Sequence, residues 1–233
     1  MDSHARLTAA YRALTADGET TAPTHQRRRR RIVAGVLVVG AVLLGFSLSA
    51  TPGDASFYPL TIALGVVWVI GGVLGGPLRA GRFAVNGTAD IRTAAGLGVL
   101  VGVAVGVCFV AGAFFTRLIP PLNDLIGQVL AFADSGNLAL VAVITLGNGV
   151  AEELFFRGAV FTAAIPHRPI ITSTVIYVAA TLASGNVMLG FAAIILGTVC
   201  AVLRRATGGV LAPVCTHVVW STIVLFALPP IVG

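Results

Sequence analysis

Residues 137–165 read NLALVAVITLGNGVAEELFFRGAVFTAAI, an apolar run broken by one compact charged group, Glu152, Glu153 and Arg157. A helix of about 20 such residues is long enough to cross the hydrocarbon layer of a bilayer. An ionisable side chain in that position costs about 2.5–3.5 kcal/mol on insertion scales, so a cluster of them needs compensating partners or a function. Helix geometry separates the two glutamates. Glu153 and Arg157 stand four residues apart with the acid N-terminal to the base, the favoured order for an ion pair on one face. Glu152 points about 100° away and shares its face with Asn148 and, one turn further back, Thr145. One carboxylate is thus neutralised locally, while the other faces the bundle interior as a candidate general base.

The rest of the chain is of the same kind. Of its 233 residues, 57% are hydrophobic and only 10% charged, which excludes an ordinary soluble globular domain. Further apolar runs lie near 32–50, 57–76, 92–115, 169–186, 187–203 and 208–228. The expected fold is all-α, a polytopic transmembrane helix bundle of about seven spans, in a multi-pass protein of the plasma (inner) membrane. Ser184-Gly185-Asn186 is the turn signal between the fifth and sixth runs. The first run is longer than the apolar part of a signal peptide and more spans follow, so it reads as an uncleaved helix.

All 15 basic residues are Arg, and they cluster between the apolar runs. With a cytoplasmic N-terminus, only Arg117 falls on the outer side, as the positive-inside rule requires. The net charge of +6 is therefore a topology signal and not a nucleic-acid surface, which needs interleaved aromatics on a soluble face. Organisation follows: a disordered basic cytoplasmic tail over 1–31, N-terminal transmembrane helices over 32–116, an outer loop over 117–136, and a core over 137–228. In the outer loop, Leu122, Leu125, Ile126, Val129 and Ala133 keep helical spacing after Pro120-Pro121, which suggests an interfacial helix. Ala94, Gly98, Gly102 and Gly106 recur every fourth residue, a small-residue face for close helix packing, intramolecular in the simpler reading. Cys108, Cys200 and Cys215 lie in apolar runs and read as small buried hydrophobes.

The last run carries a second polar group, PVCTHVVWS at 213–221. His217 and Ser221 are one helical turn apart, and the seven-span arrangement puts His217 at a depth similar to Glu152. A His–Ser pair beside a free carboxylate resembles hydrolytic equipment: a base for water and donors for a developing oxyanion.

These residues resemble the CAAX protease and bacteriocin-processing family of intramembrane endopeptidases, also called CPBP or ABI. The family's first motif, EExxxR, is met by Glu152, Glu153 and Arg157 within an EELFFRG string, and its third motif by His217, with the resemblance running over 137–228. The resemblance implies an α-helical fold with a cavity opening towards the cytoplasmic side, and peptide-bond hydrolysis in which Glu152 activates water. It assigns Glu153 and Arg157 to the architecture of the site and His217 to the oxyanion. Two positions depart from the pattern. The second motif, an aromatic residue followed four later by His, appears as Tyr177 and Thr181, and Ser221 replaces an amide or carboxylate. Thr is a poor base and a poor metal ligand, whereas Ser still donates a hydrogen bond.

A catalytic zinc wants about three protein ligands. His217 and the two glutamates are the candidates within the membrane, since His4, His25 and His167 lie outside it; the preferred chemistry is metal-free with no cofactor, and a divalent metal such as zinc is the alternative. The expected partners are membrane lipid and a membrane-associated peptide or protein substrate, with no nucleic acid. The alternative is a catalytically impaired binding or scaffolding protein of the same fold, suggested by Thr181.

Overall fold

The computed structural model of the protein describes residues 23–85, 87–165 and 167–232. Its elements are α1 (Pro23–Ser49), α2 (Phe57–Gly75), a hairpin of β1 (Phe83–Val85) and β2 (Thr88–Asp90), α3 (Ile91–Thr116), α4 (Pro120–Asp134) and α5 (Leu138–Glu153). Helix α5 runs on through a π-helical segment, Leu154–Val160, and a last turn, Phe161–Ala163. Then come α6 (Pro169–Leu182), α7 (Val187–Thr207), α8 (Leu211–Ala227) and the short α9 (Pro229–Val232).

The architecture is an all-α membrane-type bundle. Among the described residues, α1, α2, α3, the α5 rod and α7 are long and apolar enough to cross a bilayer, while α6 and α8 are apolar but shorter. Large apolar side chains such as Val38, Phe46, Leu100, Val107 and Val143 are exposed on the outside, as lipid-facing surfaces require. The protein is therefore a multi-pass membrane protein.

Local chemistry sets the helix ends. Asp90 Oδ1 accepts from Arg92 N at 2.9 Å and Asn137 Oδ1 from Leu140 N at 3.1 Å, capping α3 and α5. Asn186 Oδ1 accepts from Met188 N and Leu189 N, so the Ser184-Gly185-Asn186 turn ends in a cap for α7. At the far end of the α5 rod, carbonyls without intrahelical partners are met from α1: Gln26 Nε2 donates to Ala163 O at 2.9 Å and Ile165 O at 3.0 Å, and Arg30 Nε to Ala163 O at 3.3 Å.

Small residues decide the packing. Ala94, Gly98, Gly102 and Gly106 form the buried face of α3, and it packs on α8 within the chain. A Cβ on Gly98 or Gly102 would run into the backbone of Ala212 or Thr216, and the Thr216 hydroxyl donates to Gly98 O at 2.8 Å. Trp68 of α2 stacks on Phe155 with ring centres 4.8 Å apart and lies 5.2 Å from Phe156, forming the main core. At the arginine-bearing end, residues 79–82 run along the α7–α8 turn, with Arg82 N donating to Thr207 O and Val210 N to Arg79 O, both at 2.8 Å. Gly81, at φ 86°, and Gly209 meet there backbone to backbone, leaving no room for a side chain on either.

Several expectations are corrected. The tail's first 22 residues lie outside the described residues, but Arg27–Arg31 form the opening turns of α1 and are not irregular, because Gln26 and Arg30 have docking partners on α5. Cys108 is exposed, since the glycine face of α3 turns inward and leaves it on the opposite side; Cys200 is buried and Cys215 half-buried. The fourth run continues as helix to Ala163, and the hairpin at 83–90 was not foreseen. The expected outer-loop helix is present as α4.

Candidate active site

Where α5, α6 and α8 come together they enclose a cavity of about 270 Å³. Thr145, Asn148, Gly149 and Glu152 line it from α5, Tyr177 and Thr181 from α6, and His217 and Ser221 from α8. The face of α5 read from helical periodicity is thus the cavity-facing one. Helix α4 closes over it through Val129, Leu130, Phe132 and Ala133. The remaining lining comes from the end of α1, the start of α2, the start of α7, Val141 and Ile144 of α5, and Trp220, Val224 and Leu225 of α8. The resemblance implied an opening on the arginine-bearing, cytoplasmic side. Towards the arginine-bearing end lie the buried Phe155, Phe156 and Phe161 and the backbone bridge at 79–82.

Glu153 is fully buried, and its Oε1 is shared by two donors: Arg157 Nη1 at 3.0 Å and His217 Nδ1 at 2.9 Å. A carboxylate oxygen only accepts, so Nδ1 carries the proton in this bond. The other side of the imidazole faces Gly149, where a Cβ would stand 3.1 Å from Cδ2 and 3.4 Å from Nε2. His217 and Glu152, expected at a similar depth, line the same cavity, while the hydrogen bond from His217 goes to Glu153.

Arg157 is 1% exposed and works in three directions. Besides binding Glu153, its Nη2 donates to Gly197 O at 2.9 Å, and its guanidinium sits 4.6 Å from the centre of the Tyr177 ring. Its own carbonyl accepts from Arg204 Nε at 2.9 Å. Arg157 lies in the π-helical segment that begins at Leu154. Phe155, Phe156 and Arg157 are all buried, because this part of the rod is surrounded by the other helices.

Glu152 is half-buried, and its Oε2 accepts from the Tyr177 hydroxyl at 2.8 Å. Asn148 Nδ2 donates to Thr61 O at 3.1 Å, tying α5 to α2 behind the cavity. Thr181 lines the cavity, but its hydroxyl donates to Tyr177 O of its own helix at 2.9 Å. Ser221 is buried in the cavity wall. Ser184 and Asn186 do not line it: Asn186 caps α7 and donates to Leu125 O of α4 at 2.7 Å.

Sequence reasoning passed over Tyr177 as a chemical group, although it named the residue as the aromatic of a departed motif. It also passed over Gly149 and Gly197, which make room for His217 and for the Tyr177–Arg157 pair. A tyrosine one turn from a polar residue in an apolar helix was the available signal. Among the described residues, no three His, Cys, Asp or Glu side chains converge in a way that would hold a metal ion.

Nothing among the curated proteins and nothing among the solved structures matches the chain. Residues 134–223, which include Glu152, Glu153, Arg157, Tyr177, Thr181, His217 and Ser221, match the family model of the Rce1-like, type II CAAX prenyl endopeptidases, in agreement with the resemblance read from the motifs.

Proposed function

We propose that the protein is an intramembrane endopeptidase that hydrolyses a peptide bond of a membrane-associated peptide or protein. The observation that carries this is the pairing of Glu152 and His217 on one cavity, each held by a different buried partner, Tyr177 and Glu153. The match of residues 134–223 to an endopeptidase family supports the reaction class.

In this reading Glu152 takes a proton from a water molecule in the cavity, and the oxygen of that water attacks the scissile carbonyl carbon. His217, fixed through Nδ1 by Glu153, presents Nε2–H to the oxygen on which negative charge develops. For this role the ring carries a proton on each nitrogen, and Glu153 stabilises that charge. Collapse of the tetrahedral intermediate breaks the C–N bond, and Glu152 returns its proton to the leaving amine. Ser221 adds a hydroxyl to the same wall. The scheme routes no step through a metal: the Glu153 oxygen facing His217 is shared with Arg157, and a catalytic zinc site uses about three protein ligands. We place the chain in the inner membrane with about seven crossings and its N-terminus in the cytoplasm, on the strength of the arginines gathered at one end.

The test is cleavage of a membrane-anchored peptide library by the full chain in lipid nanodiscs. Glu152→Gln and His217→Ala are each expected to lower kcat by about 10²–10⁴-fold. Undiminished cleavage in both variants would overturn the proposal.

A further inference from the structure

A glutamate that faces a cavity can rotate about its side-chain torsions, and either oxygen can then meet the water. A general base that must take and return one proton works best when a single oxygen is presented in a fixed direction. For Glu152 the only direct side-chain hold described in the structure comes from α6, through the Tyr177 hydroxyl on Oε2 at 2.8 Å. We infer that Tyr177 is the positioning residue of the site: its phenol fixes Glu152 Oε2 and leaves Oε1 as the oxygen that exchanges a proton with water and then with the leaving amine. The inference rests on the endopeptidase reading.

The surroundings of the ring fit this role better than simple packing does. Tyr177 is 6% exposed, with the Arg157 guanidinium 4.6 Å above its centre and Phe156 edge-on at 4.7 Å. On the side of α7 the neighbour is Gly197, where even a Cβ would stand 2.9 Å from the ring. Gly197 is also the residue whose carbonyl accepts from Arg157. A phenol gripped from three sides points its hydroxyl in one direction, and that direction is Glu152. One guanidinium therefore serves both carboxylates: Arg157 binds Glu153 directly and reaches Glu152 through the Tyr177 ring. Thr181, one turn along α6, has spent its hydroxyl on the Tyr177 carbonyl, so from α6 the phenol is the donor that meets Glu152.

The proton inventory closes without a further reactant. The water O–H bond breaks, its proton goes to Glu152 Oε1 and its oxygen to the carbonyl carbon. When the C–N bond breaks, the same proton moves from Oε1 to the amine nitrogen. The Tyr177 proton stays on the phenol throughout.

Tyr177→Phe keeps the ring, the cation–π contact and the packing while removing the hydroxyl, and it would be measured in the full chain in nanodiscs. The expected result is a kcat about tenfold to a hundredfold lower with KM within about twofold of the parent, at an unchanged thermal midpoint. The second readout is the infrared carboxyl band of Glu152, identified by subtracting the spectrum of Glu152→Gln. It is expected to shift in Tyr177→Phe, which loss of a merely structural contact elsewhere would not cause. Wild-type kcat in Tyr177→Phe, with cleavage still abolished by Glu152→Gln, overturns the inference and leaves the endopeptidase reading standing. Cleavage that survives Glu152→Gln overturns that reading. An unshifted Glu152 band overturns the positioning role whether or not a substrate is in hand.

Discussion

His217 Nδ1 and Glu153 Oε1 lie 2.9 Å apart, and the same oxygen takes Arg157 Nη1 at 3.0 Å. The three groups form a buried anion between two donors. Glu153 is therefore the anchor of the cluster, while Glu152, its neighbour in sequence, is held by a neutral phenol beside the cavity. Adjacent glutamates on one helix thus have different work.

This difference is measurable. Glu153→Gln leaves the Arg157 charge buried without its counter-ion, and breaking a buried pair this way costs about 3–5 kcal/mol. Glu152→Gln keeps a hydrogen-bond acceptor for Tyr177 and is expected to change stability by less than about 1 kcal/mol. Denaturant titration of both variants in detergent checks the contrast; equal losses would contradict it.

Gly149→Ala separates activity from stability. Alanine favours a helix interior over glycine by about 1 kcal/mol. Its Cβ would press on the His217 ring at 3.1 Å, however, and tilt the imidazole slightly while its hydrogen bond to Glu153 stays in place. We expect an unchanged or slightly raised thermal midpoint together with a kcat lower by about tenfold or more. Parent-level kcat would show that the placement of His217 is not needed.

The contact between α3 and α8 predicts opposite outcomes for two glycines of one helix. Gly102→Leu would drive a side chain into the backbone of Thr216 and is expected to cost at least about 1–3 kcal/mol or to prevent folding. Gly96 has open space around it, so Gly96→Leu should be neutral or stabilising by up to about 1 kcal/mol. Thermal unfolding monitored by circular dichroism reads both.

Metal-free glutamate chemistry predicts that cleavage persists after dialysis against a strong chelator. The cavity offers Glu152 and His217, whereas a catalytic zinc site uses about three protein ligands. Loss of cleavage on chelation, restored by zinc, would refute this part of the scheme.

Patterns that depend on one helix were legible. Apolar runs marked the five helices long and apolar enough to cross a bilayer and the two shorter apolar helices α6 and α8, since burial in lipid demands uninterrupted apolar stretches. The Ala94–Gly106 face was visible because a period of four puts small residues in one row. The Glu153–Arg157 ion pair and the separate face of Glu152 followed from local geometry, and EExxxR with His217 pointed to the family.

What belongs to several helices at once was not legible. No periodicity in 154–160 announces a π-helical segment, whose Phe155 stacks on Trp68 and whose Arg157 bonds Gly197 and Glu153. That His217 goes to Glu153 and Tyr177 to Glu152 depends on how α8 and α6 are rotated about their own axes, and spacing along one helix says nothing about the rotation of another. For the glutamate pair with which the reading began, the sequence by itself determined that both lie in a membrane helix and that their faces differ. Only the tertiary structure decided their partners on other helices, Tyr177 for Glu152 and His217 for Glu153, because such a hydrogen bond is set by distances of about 3 Å between helices that meet only when the chain is folded.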